Sequence, residues 1–195
     1  MSSSADTKGK RVLTIGHSNQ DMDKLLDLLL QFHVEAVADV RSHPYSRYAP
    51  QFNHDGLRAR LSEAGLKYVY LGKELGGRPL EPEFYDSEGF VRYDRLADSP
   101  RFREGIGRLL AGIDRYRVAL LCSEENPAEC HRRVLIGRVL SGLGVTVEHI
   151  RGDGTLQTEA DLGAAAPGVG QAGLFGDQEV VEWKSTGPVR KENAG

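Results

Sequence analysis

VALLCSEENPAECHRRVLIGRVL, residues 118–140, is the stretch that decides how the rest of the chain is read. Val118 to Cys122 is apolar without interruption, which suits a strand buried on both faces. SEENPAEC is polar and holds Pro127, so it reads as a connecting loop, and HRRVLIGRVL returns to helical spacing. A fully buried strand, a polar loop and a helix form the repeating unit of a parallel α/β sheet.

Working outward, the same alternation recurs on both sides. FREGIGRLLAGIDRY precedes VALLC as a helix, and TVEHI follows as a strand. Toward the N-terminus come RVLTIGH at Arg11 to His17, then the helix MDKLLDLLLQFHV from Met22, which Asp21 or Asn19 can cap. AVADVR ends at Arg41, LRARLSEAGL makes a helix with Gly65 near its end, and KYVYLG runs from Lys67 to Gly72. Five apolar runs alternating with helices predict one α/β domain, with a mostly parallel central sheet of about five strands and helices on both faces. At 195 residues the chain can bury one full core, and two domains would be cramped.

The expected boundaries are a disordered N-terminus over residues 1–10, the α/β domain over 11–152, and a Gly/Ala-rich tail or extension over 153–195. The first ten residues carry charge and no apolar run, and no later run reaches the roughly 20 apolar residues of a membrane span. A cytoplasmic protein without membrane contact is therefore expected. Its two cysteines then meet a reducing compartment and read as free thiols. A net charge of −3 excludes coating of nucleic acid by charge alone. The basic residues are 18 Arg against 7 Lys, and planar guanidinium forks suit phosphate or carboxylate. A GC-rich genome would produce the same excess.

Sheets of this kind bind beyond the carboxyl ends of their strands. Beyond the five expected strands lie His17-Ser18-Asn19, then Asp39 with Arg41-Ser42-His43, then Lys73 with Gly76-Gly77-Arg78, then Cys122 and Glu124, and finally Arg151. Polar and titratable residues thus collect at one end, which predicts a site there.

Each motif carries a functional and a structural reading. Cys130 stands near the first turn of a helix, where unpaired amides favour a thiolate or a bound anion, and Arg132 and Arg133 add charge. A nucleophilic Cys122 or Cys130 would need His17, His43 or His131 as base. The phosphatase loop fails, because the sixth residue after Cys122 is Ala128 where Arg is required. Cys122, Cys130 and His131 as a metal site lack a fourth ligand and paired CxxC spacing, so no metal is expected. Cys122 alone reads equally as a small buried hydrophobe. Glu124, a carboxylate just past a buried strand, is the first choice for an acid or base, and Asp39 would complete a pair suited to cleaving a glycosidic bond or activating water. Asp39 and Arg41 also lie on one side of a strand and could simply pair with each other.

The loop RSHPYSRYAPQFN combines Arg41, His43, Arg47, Tyr45, Tyr48 and Phe52, which suits phosphates and stacked bases or a lid over a small anion. LGGRP at Leu75 to Pro79 is a weak phosphate signal. Neither a GxGxxG nor a GxxxxGK[ST] motif occurs, so no cofactor is expected. QAGLF at Gln171 to Phe175 is similar to the short motif with which bacterial repair and replication proteins engage the DNA sliding clamp, with Gln171, Leu174 and Phe175 as anchors.

TIGHSN, DVRSHPYSR, YVYLGKELGGRP and LLCSEENPAECHRR, in this order and spacing, resemble the bacterial and archaeal domain-of-unknown-function family 488 over roughly Arg11 to Gly152. The resemblance implies a compact α/β domain. It also marks His17, Asp39, Arg41, Pro44, Arg78, Cys122, Glu124, Cys130, His131 and Arg132 as characteristic positions.

Three functions are therefore expected to compete. The first is an enzyme, possible as a hydrolase, that binds a phosphate-bearing substrate such as nucleic acid or a nucleotide. It would use Asp39, Glu124, His17 and Cys122 for catalysis, and Ser18, Arg41, His43, Tyr45, Arg47, Arg78, Cys130, His131 and Arg132 for binding. The second is a non-catalytic nucleic-acid-binding or clamp-adaptor module in DNA repair. The third is a thiol enzyme using Cys122 or Cys130.

Overall fold

A computed structural model describes residues 9–163 and 183–189. Its centre is one six-stranded sheet of order β3-β2-β4-β1-β5-β6. The strands are β1 (Arg11–Gly16), β2 (Ala36–Asp39), β3 (Lys67–Tyr70), β4 (Val118–Cys122), β5 (Thr146–Ile150) and β6 (Leu156–Thr158). The first five pair in parallel, and β6 runs antiparallel to β5. The expected mostly parallel α/β sheet is what forms. The sixth strand lies inside the stretch read as tail, and it is three half-buried residues with too little alternation to recognise.

Because side chains alternate across a strand, each strand feeds two cores. Leu13, Ile15, Ala119 and Leu121 face α1 (Met22–Gln31) and α2 (His54–Glu63). Leu25, Leu28 and Leu29 of α1, and Leu57 and Leu61 of α2, supply the helical side of that layer. Val12, Ala38, Leu120 and Cys122 face the opposite layer. There lie α3 (Gly72–Leu75), α4 (Tyr93–Asp98), α5 (Pro100–Ile113) and a π turn at Arg132–Gly137 that runs into α6 (Arg138–Gly142).

The helix boundaries follow local chemistry. Ser99 accepts a bond from the Phe102 amide and Pro100 opens α5, whereas Asp21 stands at the cap position of α1 without a side-chain capping bond. Gly65 adopts φ +78° after α2 and lets the Leu66 amide reach back to the Leu61 carbonyl.

One segment described near the C-terminus also belongs to the domain. The Trp183 indole donates to the Val134 carbonyl at 2.9 Å, the Ser185 amide to Val91, and the Val189 amide to Gly89. Gln171 to Phe175 lies outside the described residues. Among the described residues no helix is long and apolar enough to cross a membrane.

Candidate active site

β1, β2 and β4 are neighbours in the sheet, so the residues that follow them meet at one rim. The β1 and β4 ladder continues past the strands, with the His17 amide donating to Cys122 at 3.0 Å and the Ser18 amide to Ser123 at 2.9 Å. The approach is so close that a Cβ on Gly16 would stand 1.7 Å from the Glu124 carbonyl oxygen. The loop after β4 therefore crosses directly over the end of β1.

Beneath the rim lies a closed polar layer. Asp39 is fully buried and accepts from the Arg41 amide, the Arg41 Nε and Nη2 groups, and the Tyr68 hydroxyl. Arg41 spends its remaining reach on His17 Nε2 at 3.1 Å and the Phe52 carbonyl at 2.9 Å. Burial, reinforced by the Asp39 charge, pushes the Tyr68 phenol up, so it remains a donor. Of the two sequence readings of Asp39 and Arg41, mutual pairing is the arrangement observed. Arg41 can offer a guest at most one of its five donors.

His17 belongs to the same layer. Its Nδ1 stands 2.6 Å from the Ser18 carbonyl, which can only accept, so Nδ1 carries the proton and Nε2 receives the Arg41 bond. Its ring also stacks on Phe52 at 4.3 Å. Burial lowers its pKa to about 4, against an ordinary value of 6.5. His149, hydrogen-bonded to Thr14 and Glu159, is lowered by burial too. A neutral buried His must gain a proton to unfold in acid, so the stabilisation is complete above pH 6.5 and is lost as pH falls toward 4. His17 alone should contribute up to about 3 kcal/mol across that window. Urea denaturation measured between pH 7 and pH 4 should show it, with a shallower pH slope in His17→Gln.

Among the described residues, Arg132 is the largest fully buried side chain. Its Nε donates to the Thr14 hydroxyl at 3.2 Å, and its two terminal nitrogens donate to the Glu124 and Glu125 carbonyls. It therefore holds the loop after β4 in place, and its own side chain does not line the cavity.

Above this layer opens a cavity of about 360 Å³. Arg41, His43, Arg78, Cys122, Glu124, Cys130 and His131, all expected from the sequence, are on its wall. Asp39, His17, Ser18, Tyr45, Arg47 and Arg132 are not. Glu124 is exposed rather than buried, so the cost that singled it out in the sequence does not arise. Sequence reasoning missed Tyr93 and the Ser185–Val189 strap, which closes one side of the cavity while Thr186 donates to the Glu129 carbonyl. The only signal for that strap was the chain's single Trp, a residue seldom left unburied.

Both cysteines line the cavity. His131 Nε2 lies 2.9 Å from the Val40 carbonyl, so the proton sits on Nε2 and the Nδ1 lone pair faces sulfur. Nδ1 is 3.6 Å from Cys122 Sγ and 3.9 Å from Cys130 Sγ. Gly77 presses against the imidazole, since a Cβ there would meet His131 Cγ at 2.6 Å. The paired glycines of LGGRP thus serve close packing against this ring and against Ser42. A hydrogen bond from the Cys130 thiol lowers the Cys122 pKa to about 7 against the opposing effect of burial, helped by the Arg132 charge and the Glu124 and Ser123 amides. Burial drives Cys130 the other way, well above the ordinary thiol range. The two thiols are thereby split into one anion-prone sulfur and one donor.

No curated protein and no solved structure matches the chain. The family model described as a domain of unknown function, DUF488, matches residues 21–139, a span that takes in β2, β4 and the residues around both cysteines. With that span covering more than half of its length, the chain belongs to the DUF488 family.

Proposed function

We propose that this protein is a thiol-dependent enzyme that acts on a small anionic substrate, with Cys122 as nucleophile and His131 as base. One observation carries the reading: Cys122 lines the cavity, and its Sγ is 3.6 Å from an imidazole nitrogen whose partner nitrogen is held by Val40. In this scheme Nδ1 takes the thiol proton and the sulfur forms a bond to an electrophilic acyl carbon. The leaving group departs with the bonding electron pair and receives the proton from imidazolium, and water then hydrolyses the thioester. Arg78, at the rim, makes no side-chain hydrogen bond among the described residues, and it is the guanidinium available to an anion. A cavity of about 360 Å³ suits a substrate of nucleotide size or smaller and does not suit a strand of nucleic acid.

The paired-carboxylate hydrolase is less well supported, because Asp39 is occupied by Arg41 and Tyr68. Iodoacetamide at pH 7, applied to reduced protein in excess chelator, tests the thiol reading. Cys122 should alkylate roughly tenfold faster than an ordinary thiol. Inorganic phosphate should slow the reaction, and this protection should vanish in Arg78→Ala. Cys122 that stays unmodified in the folded protein, while the urea-unfolded chain alkylates fully, would overturn the assignment.

A further inference from the structure

The donor atoms of Cys122, Cys130 and His131 all lie within 4.8 Å of one another. A tetrahedral zinc-type ion, with sulfur at ~2.3 Å and nitrogen at ~2.0 Å, sets sulfur–nitrogen edges of about 3.5 Å. The observed sulfur–nitrogen separations of 3.6 Å and 3.9 Å are close to those edges, and the sulfur–sulfur edge is within 4.8 Å. A second observation concerns the imidazole. Its outer nitrogen donates to the Val40 carbonyl, which is how a ligating His is oriented and its tautomer set, and Gly77 packs against the ring. All three residues line the cavity.

We infer that Cys122, Cys130 and His131 form a three-ligand site for a soft divalent cation of the zinc type, with the fourth coordination position open to the cavity. The ligand count that argues against a metal in the sequence applies to closed structural sites. Open sites need only three protein ligands. Binding displaces one proton from each thiol to solvent, and the two thiolates balance the charge of the ion. While coordinated, Cys122 Sγ shares its negative charge with the ion and His131 Nδ1 no longer has a lone pair free to take a proton, so the metal-bound form is the less nucleophilic one. The regulatory consequence rests on Cys122 being the reacting group; the metal site does not.

Cobalt(II) titrated into the reduced, metal-stripped full chain tests the site. One equivalent should produce a thiolate-to-cobalt charge-transfer band in the near ultraviolet and intense visible bands of a tetrahedral ion, both displaced by zinc. Cys130→Ser should weaken binding by more than about a hundredfold, beyond the loss of an outer contact. Absence of the charge-transfer band in the wild type, or its survival in Cys130→Ser, would overturn the inference. Should that variant fail to fold, protection of wild-type Cys122 by zinc decides: alkylation must slow with stoichiometric zinc and recover with excess chelator. Rapid alkylation of metal-free protein without any cobalt band would remove the metal site and leave the thiol reading standing. A cobalt band with slow metal-free alkylation would do the reverse.

Discussion

Arg132→Met is expected to cost about 3 kcal/mol of folding stability, because it strands three acceptors at once, one buried and two partly buried. The Thr14 hydroxyl and the Glu124 and Glu125 carbonyls all take their hydrogen bonds from this one guanidinium. Methionine fills comparable volume, so the loss would be polar in origin and not a cavity effect. The network also reaches further: Thr14 bonds His149, His149 bonds Glu159, and Glu159 pairs with Arg133. Arg132→Lys should recover only part of the loss, since one ammonium cannot span three acceptors held apart by a planar fork. Urea midpoints measured for the three proteins check this. A second readout separates structure from site, because the Arg132 charge also favours the Cys122 thiolate. Even in the folded fraction, Cys122 of Arg132→Met should alkylate more slowly at pH 7.

The sheet was legible in the sequence because its strands are short apolar runs ended by Gly or polar residues, and VALLC is buried at every position. The rim was legible for a related reason. Strand ends carry their polar residues outward, and β1, β2 and β4 are adjacent, so His17, Asp39, Arg41, Cys122 and Glu124 had to converge. What each residue does there was hidden, because it depends on depth. Arg41 and Arg132 look like anion-binding groups by composition, yet their donors are consumed by Asp39, His17, Phe52, Thr14 and two carbonyls of the loop after β4. Cys122 looks like a core residue by its strand, and it is packed in the core, but it also belongs to the cavity lining. His131 could be noted but not aimed. Only its bond to Val40, 91 residues away in the chain, turns Nδ1 toward sulfur. The strap at Ser185–Val189 follows a segment without core periodicity, so nothing local announced that it returns to the domain.

Asp39→Asn separates a structural carboxylate from a catalytic one. A catalytic Asp39 would give a stable, inactive protein. The geometry predicts the opposite, a loss of about 3 to 5 kcal/mol, because asparagine leaves the buried Arg41 guanidinium without its counter-charge. Two carboxylate oxygens take Nε, Nη2 and the Arg41 amide, and the second also takes the Tyr68 hydroxyl. An amide offers one oxygen and presents N–H groups to donors on the other side, so at least two of those contacts become repulsive. Tyr68→Phe removes only the hydroxyl contact and should cost about 1 kcal/mol, which places the larger part of the loss on the ion pair. Glu124→Gln, at an exposed position on the cavity wall, should change stability by less than about 0.5 kcal/mol. Denaturation midpoints for the three variants settle the order. If Asp39→Asn unfolds at the wild-type midpoint, the closed layer beneath the rim is not what holds Arg41, and Asp39 returns as a candidate for chemistry.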